Sequence, residues 1–190
     1  MVRISLGGKI AAGRSALVDE RFADELRKHR WHCDKHGYAR RCVYYGRQDG
    51  KPINRFVYMH AEVWRLAGKL IPAGQELDHI NGDKLDNRLS NLRPATRGQN
   101  QHNQKPRKGG ASRYKGVYWH KRSGKWRAYI THNGKRIHLG YFTNEPDAGK
   151  AYDTAARRLF GEYARCNFSD VSLCGATTSA DAGKKTAFFP

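Results

Sequence analysis

The sequence lacks long apolar runs and paired cysteine motifs. No segment approaches the roughly 20 consecutive apolar residues of a membrane-spanning helix, and the N-terminus has no signal-peptide core. The four cysteines contain no Cys-x-x-Cys pair, and their spacings fit neither a zinc ribbon nor a dense disulfide framework. Cys33, His36 and Cys42 offer three zinc ligands, but a fourth at a suitable spacing is missing. We therefore expect a cytoplasmic protein with free thiols and no membrane partner.

Acidic residues are missing from a long central stretch. Eleven Asp and Glu residues precede position 87, none lies between Asn87 and Asn144, and six follow. That stretch holds fourteen Lys and Arg residues, and the whole chain has a formal charge of +19. A solvated surface is the ordinary explanation for a short basic run, but here aromatic residues are interleaved with the basic ones. The excess of positive charge therefore indicates a polyanion as the partner.

A carboxylate and an imidazole lie side by side at Asp78 and His79. The apolar residues around them predict a short strand over residues 75–80, which leads into an Asn-Gly turn. Residues 91–93 can pair back as a second strand, and we expect Pro94 to end it because proline has no N–H for a ladder. These patterns predict a hairpin that carries both side chains.

A helix is predicted directly after this hairpin. Thr96 and Gln99 form a capping-box pattern, so a short helix should run over residues 97–104, before Pro106 stops it. Asn100 lies on that helix. Two short strands, a loop and a helix are too small to bury a core, which makes a bound metal one candidate for their stabilisation.

Asp78 and Asn100 offer oxygen ligands of the kind that Mg²⁺, Mn²⁺ and Ca²⁺ prefer. His79 points to the opposite side of the strand from Asp78 in an ideal pleat, which favours a role as a base over a place on the same ion. Phosphodiester hydrolysis needs such a base near neutral pH and a cation that stabilises the leaving oxygen. The alternative is that this segment is only a solvated turn. The spacing of Asn91, the Thr96 cap and Asn100 after the Asp-His pair argues against that alternative.

Asp78, His79, Asn91 and Asn100 lie in the segment DHINGDKLDNRLSNLRPATRGQNQHN. This segment resembles the HNH nuclease motif of phage and intron homing endonucleases, and the resemblance covers about residues 58–104. The fold that the resemblance implies is the ββα-metal, or His-Me, finger. It further implies that Asp78 and Asn100 hold one divalent ion, Mg²⁺ or Mn²⁺, against the scissile phosphate, and that His79 takes a proton from the attacking water. Asn91 would hydrogen-bond across the hairpin and hold the His79 loop. Asn100 stands where many members have histidine, a variant that the family also contains.

Residues 1–57 are predicted to form a small sheet and a helix ahead of the nuclease unit. A further helix should run over residues 60–67. His60 is either a phosphate contact, as related HNH sequences imply, or a structural hydrogen-bonding residue. The predicted elements of the first part are strands at residues 3–6 and 16–18, a helix at 19–29, and strands on either side of the Asp49-Gly50 turn.

Three strands and a helix are predicted after residue 111. The strands cover residues 115–119, 125–131 and 135–142 and are joined by Ser-Gly and Asn-Gly turns. Alternation gives this sheet one apolar face and one face of basic and aromatic residues. The helix begins at the N-cap Asn144 and ends at Gly161, and its alanine-rich stripe permits close packing on the apolar face.

This segment is similar to the APETALA2-type DNA-binding domain of plant ethylene-response factors and of HNH homing endonucleases. The Lys-Gly-Val start, Gly-Lys-Trp, Leu-Gly-Tyr-Phe, Ala-Tyr-Asp-x-Ala-Ala and the final Asn-Phe match over about residues 112–168. The resemblance implies that the outward sheet face contacts double-stranded DNA. A protein-binding face is the alternative, but lysine is depleted in protein interfaces. The DNA-contacting residues implied are Lys115, Tyr118, His120, Arg127, Tyr129, Arg136 and His138.

We therefore predict an α+β protein in which a ββα-metal nuclease unit is followed by a three-stranded antiparallel sheet packed on one helix. The predicted function is metal-dependent cleavage of double-stranded DNA by a phage-encoded homing endonuclease, acting as a monomer or a homodimer in the bacterial cytoplasm. The alternatives are a non-catalytic DNA-binding regulator with a decayed nuclease finger and a basic RNA-binding or structural protein. The predicted parts are an N-terminal module at 1–57, the nuclease at 58–104, a basic linker at 105–111, an AP2/ERF domain at 112–168 and a disordered tail at 169–190.

Overall fold

The computed structural model describes residues 1–106, 109 and 111–168, so the predicted disordered tail lies outside the described residues. No helix in this part of the chain is long and apolar enough to cross a membrane. The helices are α1 Ala23–Arg27, α2 Met59–Leu66, α3 Arg97–His102 and α4 Glu145–Phe160. The strands are β1 Val2–Ser5, β2 Ser15–Val18, β3 His32–Cys33, β4 Ala39–Gln48, β5 Lys51–Tyr58, β6 Glu76–His79, β7 Leu92–Ala95, β8 Val117–His120, β9 Lys125–His132 and β10 Lys135–Phe142.

The strands form four small antiparallel sheets, each built from strands that follow one another in the chain. β1 pairs with β2, β4 lies between β3 and β5, β6 pairs with β7, and β9 lies between β8 and β10. Short connections between neighbouring strands favour this antiparallel pairing. The α+β class predicted from the sequence is confirmed.

One hydrophobic core joins the N-terminal segment to the β6–β7 hairpin. Apolar side chains of β1, β2, α1 and α2 meet there, and Leu77 and Leu92 of the hairpin pack into the same cluster. Trp31 is buried in this core, and its indole N–H donates to the carbonyl oxygen of Leu26 at 2.8 Å. Apolar burial against the N-terminal segment thus stabilises the hairpin. From the sequence alone, a bound metal was one candidate for this stabilisation. The boundary at residue 57 stays a prediction, since the residues on both sides of it share one core.

Several local predictions can be compared with the structure directly. The helix predicted over residues 19–29 is a 3₁₀ turn at Glu20–Phe22 followed by the short α1. Pro94 does not end the hairpin, because it lies inside β7 opposite Leu77. Proline is tolerated there because β7 is an edge strand, whose free side needs no N–H donor. The capping box at Thr96 is present as predicted, although α3 ends at His102.

The C-terminal unit is a three-stranded sheet packed on α4. Ile130 of β9 contacts Tyr152 and Ala156 of the helix, while Val117 and Ala128 contact its first turns at Ala148. The helix begins after the N-cap Asn144, has proline in its first turn and ends at Gly161, as predicted. The buried carboxylate of Asp153 accepts from the backbone N–H groups of Asn167 and Phe168 at 2.7 and 2.9 Å. These bonds fix the segment after α4 to the helix.

Gly116, directly before β8, lies against Tyr152 of α4, and this predicts a strong effect of substitution. Its φ is +76°, and an added Cβ would overlap the ring of Tyr152 and lie 2.7 Å from the carbonyl oxygen of Tyr129. Gly116→Ala should lower the free energy of unfolding by about 3 kcal/mol, since overpacking and a left-handed backbone both cost stability. Urea unfolding followed by circular dichroism measures this loss.

Gly134→Ala is the matched control for that substitution. Gly134 has a φ of +74°, but no atom lies within 4 Å of an added Cβ. Its substitution should cost only the backbone term, roughly 1 kcal/mol. Equal losses in the two variants would contradict the role of packing at Gly116.

Candidate active site and nucleic-acid interface

The hairpin β6–β7 places Asp78 and His79 at the end of β6, next to the connecting loop. In the antiparallel register Asp78 lies opposite Arg93, and His79 lies opposite Leu92. Both side chains are buried, with exposed fractions of 4% and 5%. They line one cleft of about 330 Å³ together with Asn100 of α3. The structure therefore brings these three predicted site residues to the same cleft, and their chemical roles stay predictions.

The carboxylate of Asp78 is held by two side chains. Arg93 donates from Nε and Nη2 to Oδ2 at 3.1 and 3.0 Å. Asn103 donates from Nδ2 to Oδ1 at 3.1 Å and to Oδ2 at 2.9 Å, and also to the carbonyl oxygen of His79 at 2.9 Å. Oδ2 thus accepts three of these bonds and Oδ1 accepts one. A buried carboxylate needs such partners because an uncompensated charge inside a protein is costly.

The imidazole of His79 is oriented by Asn87. Its Nε2 lies 3.1 Å from Oδ1 of Asn87, and the Nδ2 of the same amide donates to the carbonyl oxygen of Leu85 at 3.3 Å. Because Oδ1 can only accept, these bonds assign the proton to Nε2 and leave Nδ1 with its lone pair. Burial lowers the pKa of His79, and the hydrogen bond with Asn87 opposes this effect. The imidazole is therefore neutral at pH 7, which is the state that a general base requires.

The loop that follows His79 is held by Asn91. The Oδ1 of Asn91 accepts from the backbone N–H of Asn81 at 3.0 Å. Its Nδ2 donates to Oδ1 of Asn81 at 3.0 Å and to the carbonyl oxygen of Asp86 at 2.7 Å. The carboxylate of Asp86 accepts in turn from Asn81 and from Arg88, and the bond with Arg88 lowers the pKa of Asp86. These bonds fix the loop at its start and near its end, and so restrain the backbone beside His79.

His60 packs against His79. Its ring meets the His79 ring edge-on at 5.1 Å and stacks on Tyr58 at 5.5 Å. Burial lowers the pKa of His60 to about 3, so the ring is uncharged at pH 7. A neutral, largely buried imidazole offers no positive charge to a phosphate. The ring packing favours a structural role for His60 over a phosphate contact, but the predicted hydrogen bond is not seen at Nδ1, which has no partner among the described residues.

The residues of the cleft fit a hard divalent cation better than zinc. Asp78 supplies a carboxylate whose Oδ1 accepts a single hydrogen bond, and Asn100 supplies an amide oxygen. Oxygen donors of this kind match Mg²⁺ and Mn²⁺. Within residues 1–106, 109 and 111–168, no group of three or more His, Cys, Asp or Glu side chains converges as a metal site. Cys33 and Cys42 form no disulfide, and among the described residues they do not converge with His36 as a group of metal-ligating side chains.

A second candidate site is the outward face of the β8–β10 sheet. Tyr118 lies opposite Arg127 between β8 and β9, and His138 lies opposite Tyr129 between β9 and β10. The Tyr118 ring stacks on Tyr129 at 4.8 Å, and the guanidinium of Arg136 lies 4.3 Å from the same ring. Stacked rings beside guanidinium groups form a surface suited to bases and phosphates.

Tyr141 joins this face because β10 contains a β-bulge. The register shifts between His138 and Gly140, where Gly140 has a φ of +134°. Strict alternation would turn Tyr141 toward α4, but the bulge places it opposite Arg127. Its ring lies 4.8 Å from His138 and 5.2 Å from His120. Six of the seven predicted DNA-contacting residues therefore share a face with one aromatic residue that sequence reasoning missed.

Lys115, the seventh, lies elsewhere. Its ammonium group donates to the carbonyl oxygens of His102 and Gln104 at 2.5 and 2.8 Å, at the C-terminal end of α3. Burial lowers the pKa of Lys115 to about 8. The ring of His102 stacks on Phe160 of α4 with centroids 3.6 Å apart. Lys115 is thus part of the contact that docks the C-terminal unit on α3, and not of the open face where the sequence placed it.

Three further residues of the site were not predicted. Arg93 faces Asp78 across the hairpin, a cross-strand pair that the register itself would have indicated. Asn103 follows Asn100 by three residues and so points to the same side of α3. Asn87 reaches His79 only through the fold of the loop, so no local pattern could have identified it.

Comparison with known proteins supports both resemblances. Residues 57–102 match the HNH endonuclease family, and residues 112–162 match the AP2 domain. Protein 3.8 of Escherichia phage T7 is 36% identical over 106 residues, which are 56% of this chain and 87% of the phage protein. An uncharacterised HNH endonuclease of Acanthamoeba polyphaga mimivirus is 35% identical over 144 residues, which are 75% of this chain and 69% of the viral protein.

Plant proteins match over a smaller part of their length. Dehydration-responsive element-binding protein 2C of Arabidopsis thaliana is 39% identical over 80 residues, which are 40% of this chain and 23% of the plant protein. AP2-like ethylene-responsive transcription factor TOE2 of the same plant is 40% identical over 58 residues, or 30% of this chain and 12% of that protein. Both families identified from the sequence are thereby confirmed.

The low pKa of His60 predicts a loss of stability in acid. Above pH 6.5 the residue is neutral in both states, whereas below it only the unfolded chain takes up the proton readily. The contribution of His60 to stability is therefore lost progressively as the pH falls toward 3. By pH 5 the loss relative to neutral pH is about 2 kcal/mol. His60→Gln should remove this part of the pH dependence, measured by urea unfolding at pH 7 and pH 5. The exposed His36→Gln should retain it, and the same pH dependence in His60→Gln as in the wild type would refute the prediction.

Proposed function

Because this chain belongs to the HNH endonuclease family and carries an AP2 domain, we propose that it is a metal-dependent homing-type endonuclease that hydrolyses phosphodiester bonds in double-stranded DNA. The observation that carries the proposal is the single cleft lined by Asp78, His79 and Asn100. In this proposal the β6–β7 hairpin and α3 form the ββα-metal finger. Two features support it, namely a neutral imidazole and oxygen donors that line the same cleft.

His79 acts as the general base in the proposed mechanism. Its Nδ1 carries the free lone pair, so this atom takes the proton from the water that attacks phosphorus. The imidazolium that forms keeps its Nε2–H bond to Asn87 and lies next to the negative charge of Asp78. Asn91 contributes by holding the loop beside the imidazole. A base fixed in this way loses little orientational freedom when DNA binds.

Asp78 and Asn100 hold one divalent cation, Mg²⁺ or Mn²⁺, in this proposal. When bound, such a cation neutralises charge on the scissile phosphate and on the leaving 3′ oxygen. Lys84 and Lys105 line the same cleft. Their ammonium groups are suited to the neighbouring phosphates of the cleaved strand.

The outward sheet face supplies recognition of the DNA site. Arg127 and Arg136 flank Tyr129 on that face, and guanidinium groups bind both phosphates and guanine edges. A single nuclease finger contacts too little DNA to select a site, so a separate reading surface is needed. We place the protein in the bacterial cytoplasm during phage infection, where one copy would nick one strand and a homodimer would cut both.

His79→Ala should reduce DNA cleavage by about 10²- to 10⁴-fold and leave DNA affinity nearly unchanged, because it removes the base but no docking surface. Cleavage is measured as conversion of supercoiled plasmid to nicked or linear forms in Mg²⁺ and in EDTA, and binding as a gel shift in EDTA. The exposed His36→Ala is the matched control and should keep both activities. Equal loss of binding and cleavage would rule out His79 as the base. A wild-type protein that binds duplex DNA but never cleaves it would support the non-catalytic regulator.

Asn100→Ala should raise the Mg²⁺ concentration needed for half-maximal cleavage by at least about tenfold, since it removes a proposed ligand. The measurement is the plasmid assay over a Mg²⁺ titration. Gln101→Ala changes an exposed neighbour on the same helix and should leave the titration unchanged. Full activity of Asn100→Ala at low Mg²⁺ would remove Asn100 from the set of ligands.

A further inference from the structure

We propose that Arg93 is a positioning residue through which docking of the C-terminal unit fixes the carboxylate of Asp78 in the orientation that binds the metal. The inference rests on the proposed function, because the role of Asp78 as a ligand belongs to that proposal. Arg93 lies within the matched HNH segment but is not one of the site residues predicted from the sequence, and its side chain contacts both Asp78 of the nuclease hairpin and the C-terminal unit.

The guanidinium of Arg93 is bonded on both of its edges. Nε and Nη2 donate to Oδ2 of Asp78 at 3.1 and 3.0 Å. Nη1 donates to the carbonyl oxygen of Glu162 at 2.6 Å, and the group lies 4.2 Å from the centroid of the Tyr163 ring. Arg93 is only 8% exposed, so water competes little for these donors. One planar cation therefore connects the candidate ligand to the 3₁₀ turn that follows α4.

The bonds of Arg93 determine which oxygen of Asp78 remains for a cation. Oδ2 accepts from Arg93 twice and from Asn103 once, whereas among the described residues Oδ1 accepts only from Asn103. Because both bonds from Arg93 converge on Oδ2, the carboxylate cannot rotate about its Cβ–Cγ bond without breaking them. Oδ1 is thereby kept as the oxygen with free acceptor capacity. Partners of this kind orient metal ligands and raise affinity for the ion.

The position of Arg93 depends in turn on the C-terminal unit. Tyr163 donates its hydroxyl to the carbonyl oxygen of Pro94 at 3.0 Å, directly after Arg93 in the chain. The stack of His102 on Phe160 holds the end of α4 against α3 nearby. Loosening of this contact would free one edge of the guanidinium, and the carboxylate would lose part of its restraint.

A competing effect has the opposite sign and makes the proposal testable. The positive charge of Arg93 repels a cation at Asp78, so an arginine that acted mainly as a counter-ion would weaken metal binding. Replacement of such an arginine by a neutral residue would strengthen metal binding, and replacement by lysine would leave it unchanged. A positioning arginine gives the reverse result, because a lysine keeps the charge but cannot form the two-bonded fork.

The experiment measures Mn²⁺ binding to the full chain without DNA, by the electron paramagnetic resonance signal of free Mn²⁺. Arg93→Lys should bind Mn²⁺ about 10- to 100-fold more weakly than the wild type. Tyr163→Ala, which changes only the C-terminal side, should weaken binding about tenfold, and Tyr163→Phe should weaken it less because it keeps the ring. Arg65→Lys is the matched control, since Arg65 pairs with Glu62 on α2 through a similar fork and should leave Mn²⁺ binding unchanged.

The outcomes separate this inference from the proposed function. Unchanged or tighter Mn²⁺ binding in Arg93→Lys, with the wild-type circular dichroism spectrum, overturns the positioning role. Unchanged binding in Tyr163→Ala overturns the coupling to the C-terminal unit, and this variant decides the matter if Arg93→Lys fails to fold. A wild-type chain that binds no Mn²⁺ overturns the metal role of Asp78 and the present inference together.

Discussion

The buried negative charge of Asp78 is the constraint that organises the nuclease half of this protein. A carboxylate in the interior must be matched by donors, and here they come from β7 through Arg93 and from the end of α3 through Asn103. The same bonds that compensate the charge also set the direction in which the carboxylate faces the cleft. Stability and site geometry are therefore not separable at this residue, because both depend on one set of hydrogen bonds.

The scaffold beneath this carboxylate is assembled from distant parts of the chain. The hairpin and α3 contain few apolar side chains, and Leu77 and Leu92 gain their burial in a core built largely by residues of the first sixty positions. An isolated hairpin of this length would be marginal in water. The N-terminal segment supplies the missing apolar surface and so stabilises the hairpin that lines the cleft.

The two candidate DNA-contacting surfaces are connected through the contact between α3 and α4. Lys115 and His102, both polar residues in a basic stretch, serve that contact. The outward face of the β8–β10 sheet is completed by the bulge at Gly140, which turns Tyr141 outward. A shift of one position in one strand thus changes which aromatic residue a DNA partner would meet, because side chains alternate between the two faces of a sheet.

The sequence by itself determined whatever depends on local pattern. Alternating strands, the capping box at Thr96 and the caps of α4 follow from short-range geometry, and the spaced motif and the two family resemblances were read from the same residues. Only the tertiary structure decided which side chains hold the site residues in place. The pairing of Arg93 with Asp78, the choice of Nδ1 on His79 by Asn87 and the burial of Lys115 join residues that are 8 to 15 positions apart. Such contacts depend on how the loops close and how the helices and strands pack together. Local sequence propensity does not predict either of these.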